Sequence, residues 1–172
     1  MRRLAAVPAA LAALALASCF PAEETQDSSS PKPLPSLAAD KGAPLLALAD
    51  HLLGQYFASE VAGDTTVCLA VTDGRDEQAL SPADEVTLMM HHPALSPLAT
   101  CGLVDGAWRN VDSGDPALVF TVHSFGCADA EQCTGFASYM AGATGSPATR
   151  YAMTWDGDAW QFTRDRRLLG GE

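Results

Sequence analysis

Between residues 43 and 59 the apolar positions fall at 45, 48, 49, 52, 53, 56 and 57, the stripe of an amphipathic helix. Asp50, His51 and Gln55 occupy the other side, expected toward water, and Pro44 suits the first turn. The run TTVCLAVTDG (65–74) reads as a strand ending in an Asp-Gly turn. A second, shorter helix opens within LSPADEVTLMMHHP. Ser81 is placed as its N-cap and Pro82 at its first position, with Asp84 and Glu85 complementing the helix dipole and Pro93 ending it. LSPLATCGLVDGAWRN (95–110) reads as a loop leading into a strand that holds Cys101 and Trp108.

The rest alternates with the period of a strand. In PALVFTVHSF, Leu118, Phe120 and Val122 fall on one face and Val119, Thr121 and His123 on the other. FGCADAEQCTGF (125–136) turns the corner. If Cys127 lies opposite Cys133, Phe120 meets Met140, Val122 meets Ser138 and Ser124 meets Phe136, which puts the apolar sets on one face. That agreement supports a Cys127–Cys133 staple. In RYAMTWDGDAWQFTRD the Asp156-Gly157 pair signals a tight hairpin. A two-residue loop sets Met153 against Trp160; a four-residue loop sets Trp155 there instead. Either way Tyr151, Met153, Trp155, Trp160 and Phe162 share a face. The expected fold is α+β: an antiparallel meander sheet packed on one N-terminal helix, with a second short helix. Over residues 44–167 this layout resembles the cystatin-like and NTF2-like cone folds, a resemblance of architecture alone.

The first residues carry a different pattern. Arg2 and Arg3 precede an apolar run from Leu4 to Ala17, too short to span a bilayer comfortably and laid out as an export signal. It closes on Leu16-Ala17-Ser18-Cys19, which resembles the lipobox of bacterial lipoproteins. The resemblance implies that residues 1–18 are removed and that the Cys19 thiol carries a diacylglyceryl group. Each buried lipid methylene contributes about 0.8 kcal/mol, so several acyl chains anchor firmly where one does not. The twin arginines leave Sec and Tat export both open, with Sec the better match. Phe20, rather than an aspartate, implies the periplasmic face of an outer membrane. Residues 20–43 are rich in Ser, Pro and acidic side chains and read as a disordered tether with a root-mean-square span of about 27 Å. Residues 44–167 then make one domain, and 168–172 a flexible tail.

Charge and cysteine count narrow the function classes. The formal charge is −11, and losing Arg2 and Arg3 with the signal makes it −13, which argues against nucleic-acid partners. With Cys19 lipidated, four cysteines remain in an exported chain. Once Cys127 and Cys133 are joined, Cys68 is left to pair with Cys101.

Candidate chemistry is sparse. His91-His92 and His123 invite a metal reading, but adjacent helical histidines point about 100° apart and HExxH spacing is absent. There is no GxSxG, and Ser124 and His123 face opposite sides of a strand. No catalytic residue, metal or cofactor is therefore assigned. Under the register above, Thr121, His123, Phe125 and Tyr139 share the face away from the core and form a candidate binding patch. The expected function is that of a non-enzymatic, membrane-anchored lipoprotein that binds or supports an envelope partner. A small-ligand binding module with a cone-shaped pocket is the alternative, and an envelope hydrolase is a third reading.

Overall fold

The computed structural model describes residues 32–60, 62–73 and 76–165. The signal segment, Cys19, the tether up to residue 31 and the tail beyond residue 165 lie outside the described residues. The chain divides into Met1–Pro33 and Leu34–Glu172, and all the described secondary structure belongs to the second unit.

Helix α1, Pro44–Phe57, starts on its proline and buries Leu46, Leu48, Leu52 and Leu53 with Ala47 and Ala49. Strand β1, Thr66–Thr72, and a two-residue strand β2, Glu77–Gln78, precede helix α2, Pro82–His91. The Ser81 hydroxyl accepts from the Asp84 N–H at 3.2 Å and donates to the Asp84 carboxylate at 2.8 Å, so the cap forms as its sequence signal requires. Strands β3, Cys101–Val104, and β4, Ala107–Asn110, form a separate hairpin. Its tip is Asp105-Gly106, both at positive φ, the backbone that suits a two-residue hairpin turn. Strands β5 (Ala117–Cys127), β6 (Gln132–Ala141), β7 (Thr144–Gly145), β8 (Thr149–Trp155) and β9 (Trp160–Asp165) complete the chain.

The fold is α+β, with a seven-stranded, mostly antiparallel sheet of order β2-β1-β5-β6-β8-β9 and β7 paired to β6. One pair departs from a meander. β1 runs parallel to β5, Val67 beside Leu118 and Leu69 beside Phe120. Such a pair needs a long crossover, which here is everything from residue 73 to residue 116. β1 is also covered on both faces. Val67 and Leu69 join α1, α2, Leu118 and Phe120 in one cluster. Cys68 and Ala70 join Ala117, Val119 and Cys101 in another, capped by Leu98 and Trp108. The small Cys68, Ala70 and Ala117 leave room for the Trp108 ring.

Both disulfides form: Cys68–Cys101 ties β1 to β3, and Cys127–Cys133 spans the β5–β6 turn. The last hairpin takes the four-residue loop, with Trp155 opposite Trp160. The Asp156 carboxylate caps that loop by accepting from the Asp158 and Ala159 N–H groups.

Two expectations need correcting. Beyond the turn, the β5–β6 register slips by one residue. Cys127 faces Cys133 and Gly126 faces Thr134, but Phe120 pairs with Tyr139 and Val122 with Ala137. Ser124 and Phe125 together oppose Gly135 in a β-bulge, with Ser124 at φ 50°. The bulge turns Phe125 onto the α1 face. A Cβ on Gly135 would come within 2.9 Å of the Phe125 ring, so the bare glycine is what admits it. Second, residues 37–41, placed by composition in the tether, pack on the domain. Leu37 is 8% exposed within the α1–α2 cluster, and the Asp40 carbonyl accepts from the Trp160 indole N–H at 3.1 Å.

Candidate functional site

The bulge divides the four-residue patch expected on one face. Thr121 and His123 remain on the face away from α1, where His123 stacks on Phe136 with centroids 5.3 Å apart. Phe125 packs into the cluster beneath α1. Tyr139 lies beside Phe120 on the α1 side, with ring centroids 5.8 Å apart. The patch does not exist as one surface. What replaces it is a cavity of about 350 Å³ between α1 and the sheet, lined by Tyr56, Phe120, Tyr139, Tyr151, Gln55 and Arg164 among others.

The cavity wall is aromatic because β5, β6 and β8 each turn a ring toward α1. Tyr56 meets Phe120 edge to face at 5.4 Å, and Phe120 meets Tyr139. Tyr151 is 4% exposed. Tyr151 lines the cavity, and no hydrogen bond within the described residues engages its hydroxyl. The size is at the small end of ligand pockets, and the mix of apolar wall and few polar groups is their usual make-up.

At one end an exposed polar chain joins α1 to β9. Arg164 donates to the Gln55 Oε1 at 2.6 Å and lies over the Tyr151 ring, 5.6 Å from its centroid. An arginine only donates, so Gln55 must present its NH₂ to His51 Nε2, 2.7 Å away. His51 Nε2 is therefore an acceptor, and the ring is neutral with its proton on Nδ1. The ring also stacks on Phe162 at 4.1 Å. Burial lowers the His51 pKa from its ordinary 6.5, the Arg164 charge lowers it further, and Asp50 on α1 opposes both.

This arrangement predicts acid sensitivity. Unfolded, His51 takes up its proton near pH 6.5; folded, it does so only at lower pH. The unfolded chain then binds more protons as pH falls through 6.5, so stability drops until the folded ring also titrates. The groups around the ring are Asp50, Arg164, Tyr151 and Phe162. Melting temperature measured from pH 7.5 to 5 should fall more steeply in the native chain than in His51→Phe, which keeps the stack but cannot titrate. Parallel curves would refute the assignment.

The other histidines are used structurally. His92 Nε2 is 2.8 Å and His91 Nδ1 3.8 Å from Asp50 Oδ1, joining α2 to α1. His123 is on the far face of the sheet, so the three histidines do not converge. Among the described residues no group of three or more His, Cys, Asp or Glu is placed to hold a metal ion. Both described side-chain hydrogen bonds of histidine go to Gln55 and Asp50, not to a hydroxyl or thiol nucleophile. The Ser146 hydroxyl on the cavity rim accepts from the Tyr139 N–H at 2.9 Å.

A second hollow of about 440 Å³ lies between Leu45, Val71, Asp73, Gln78 and the bulge. Away from both hollows, Leu103 (61%) and Val104 on the β3–β4 hairpin and Val111 just after it are exposed. No described helix is long and apolar enough to cross a membrane.

Cysteine pairing, cap chemistry and the apolar face of the last hairpin were all readable along the chain. The cavity was not, because its walls come from segments whose proximity depends on the bulge and on the strand order. No protein-family model, curated protein or solved structure matches this chain.

Proposed function

We propose that this chain is an exported lipoprotein, anchored through Cys19, whose domain binds a small molecule in the cavity between α1 and the sheet. The anchor rests on the Leu16-Ala17-Ser18-Cys19 motif behind a basic and apolar leader. The binding role rests on one observation: an aromatic cavity of about 350 Å³ with hydroxyl, amide and guanidinium groups gathered at one end. A second reading, support of an envelope partner, draws on the exposed Leu103 and Val104 of the β3–β4 hairpin and Val111 just after it.

The test uses the protein extracted from membranes. Its intact mass should correspond to a chain starting at a diacylglyceryl-modified Cys19. It should bind the neutral fluorescent probe N-phenyl-1-naphthylamine saturably, at one site per chain. Thr149→Trp, which places a ring in the cavity mouth, should abolish that binding without changing the near-ultraviolet circular dichroism of the core. An unlipidated mass refutes the anchor. Probe binding that is absent, or untouched by Thr149→Trp, refutes the cavity as a binding site.

A further inference from the structure

We infer that the cavity's ligand is a small monoanionic carboxylic acid with an apolar or aromatic body, its carboxylate held by Arg164. This rests on the binding role proposed above and specifies its chemistry.

Among the described residues, Arg164 is the one charged side chain in the cavity lining, and no described aspartate or glutamate lines it. That is unexpected from composition, because the chain carries 21 acidic and 10 basic residues. Two other described cations meet acidic partners, Lys41 with Glu131 at 2.8 Å and Arg150 with Asp165 at 3.7 Å, while Arg109 donates to the Gly114 carbonyl. No carboxylate among the described residues lies within ion-pair distance of Arg164. Its contacts are the Gln55 carbonyl and the face of Tyr151. A guanidinium has five N–H donors in a fixed plane. The single bond to Gln55 leaves a pair of parallel donors for a bidentate carboxylate.

The guanidinium is also held in place before any ligand arrives. Gln55 is oriented by the His51 acceptor, and His51 is clamped on Phe162. Pre-ordered donors lose less entropy on binding than a free surface arginine would. Beside them, Tyr151 also lines the cavity, and a tyrosine hydroxyl can donate to an anionic oxygen. The opposite wall of Tyr56, Phe120 and Tyr139 offers ring surface for the ligand's body.

The number of charges selects the head group. One cation balances a monoanion; a phosphate dianion would leave a net negative charge inside a protein whose formal charge is already −11. A neutral ligand would make only neutral-acceptor hydrogen bonds to the guanidinium, which are weaker than those of a carboxylate.

The experiment is a displacement titration of bound N-phenyl-1-naphthylamine from the full lipidated chain, with 2-naphthoate and 2-naphthamide as competitors of the same shape. Naphthoate should bind about tenfold more tightly or better, as expected for charge-assisted hydrogen bonds. Arg164→Gln should bring the ratio of the two affinities close to one, and Arg164→Lys should restore part of it. If Arg164→Gln alters the circular dichroism, the Arg164→Lys ratio decides alone, and it should lie below that of the native chain. Equal affinities in the native chain overturn the carboxylate inference while the cavity remains a binding site. A naphthoate preference that survives both substitutions overturns Arg164 as its source. Failure of both competitors and of the neutral probe overturns the binding role itself.

Discussion

Trp160→Ala is expected to cost about 3–5 kcal/mol, the range for truncating a fully buried aromatic ring. Trp160 is 2% exposed and lies in the cluster of Leu48, Leu52, Tyr151 and Met153 beneath α1. Its ring meets Trp155 edge to face at 5.6 Å, and its N–H donates to the Asp40 carbonyl. The substitution therefore removes core volume and also frees the segment ahead of α1 from the edge strand β9. Against a typical total of about 5–15 kcal/mol, such a loss threatens folding at growth temperature. Trp160→Phe isolates the hydrogen bond, because it keeps much of the volume. The Asp40 carbonyl would still accept from the Ala43 N–H at 3.3 Å, so that change should cost much less, about 1 kcal/mol. Urea unfolding followed by circular dichroism gives both values. A loss under about 1 kcal/mol for Trp160→Ala would contradict the packing of this ring.

Removing the Cys68–Cys101 disulfide is the second large effect. The two cysteines are 33 residues apart, and on the chain-entropy account closing that loop is worth about 3.7 kcal/mol. The six-residue Cys127–Cys133 loop is worth about 2.2 kcal/mol on the same account. Burial widens the gap between them. Cys68 and Cys101 both lie in the cluster that holds the β3–β4 hairpin against β1, whereas in the second bridge only Cys133 is buried and Cys127 is at the surface. The double variant Cys68→Ala/Cys101→Ala should therefore melt well below Cys127→Ala/Cys133→Ala, and a reductant should lower the melting temperature of the native chain at least as far as the former. Equal melting temperatures for the native chain and the Cys68→Ala/Cys101→Ala variant would refute the stabilising role of this bridge.

Several tertiary features left traces in the sequence that a closer reading can use. TVCLAVT is apolar at nearly every position, the mark of a strand buried on both faces rather than of one edge of a meander. Gly126 and Gly135 flank the corner where the β5–β6 register slips, and glycines inside strands often mark bulges. Asp105-Gly106 is as strong a hairpin signal as Asp156-Gly157 and does form a turn. At Asp156 the same dipeptide sits in a wider loop, because Trp155 and Trp160 pair across it. The dipeptide marks the turn; the side chains flanking it set the length.

What the sequence by itself determined were the features that neighbours along the chain decide. These include the α1 stripe, the Ser81 cap, the apolar face of the β8–β9 hairpin and the short Cys127–Cys133 staple. Each depends on residues within a few positions of one another, whose geometry the helix and strand periods dictate. The tertiary structure alone decided the parallel pairing of β1 with β5, the burial of Leu37 and the meeting of Asp50 with His92. It also brought Gln55 to Arg164 across 109 residues. These contacts carry no local period. They arise because burying both faces of β1 and the α1 face of β5–β9 leaves one compact arrangement, and that arrangement sets Leu52, Gln55 and Tyr56 of α1 along the wall of a cavity.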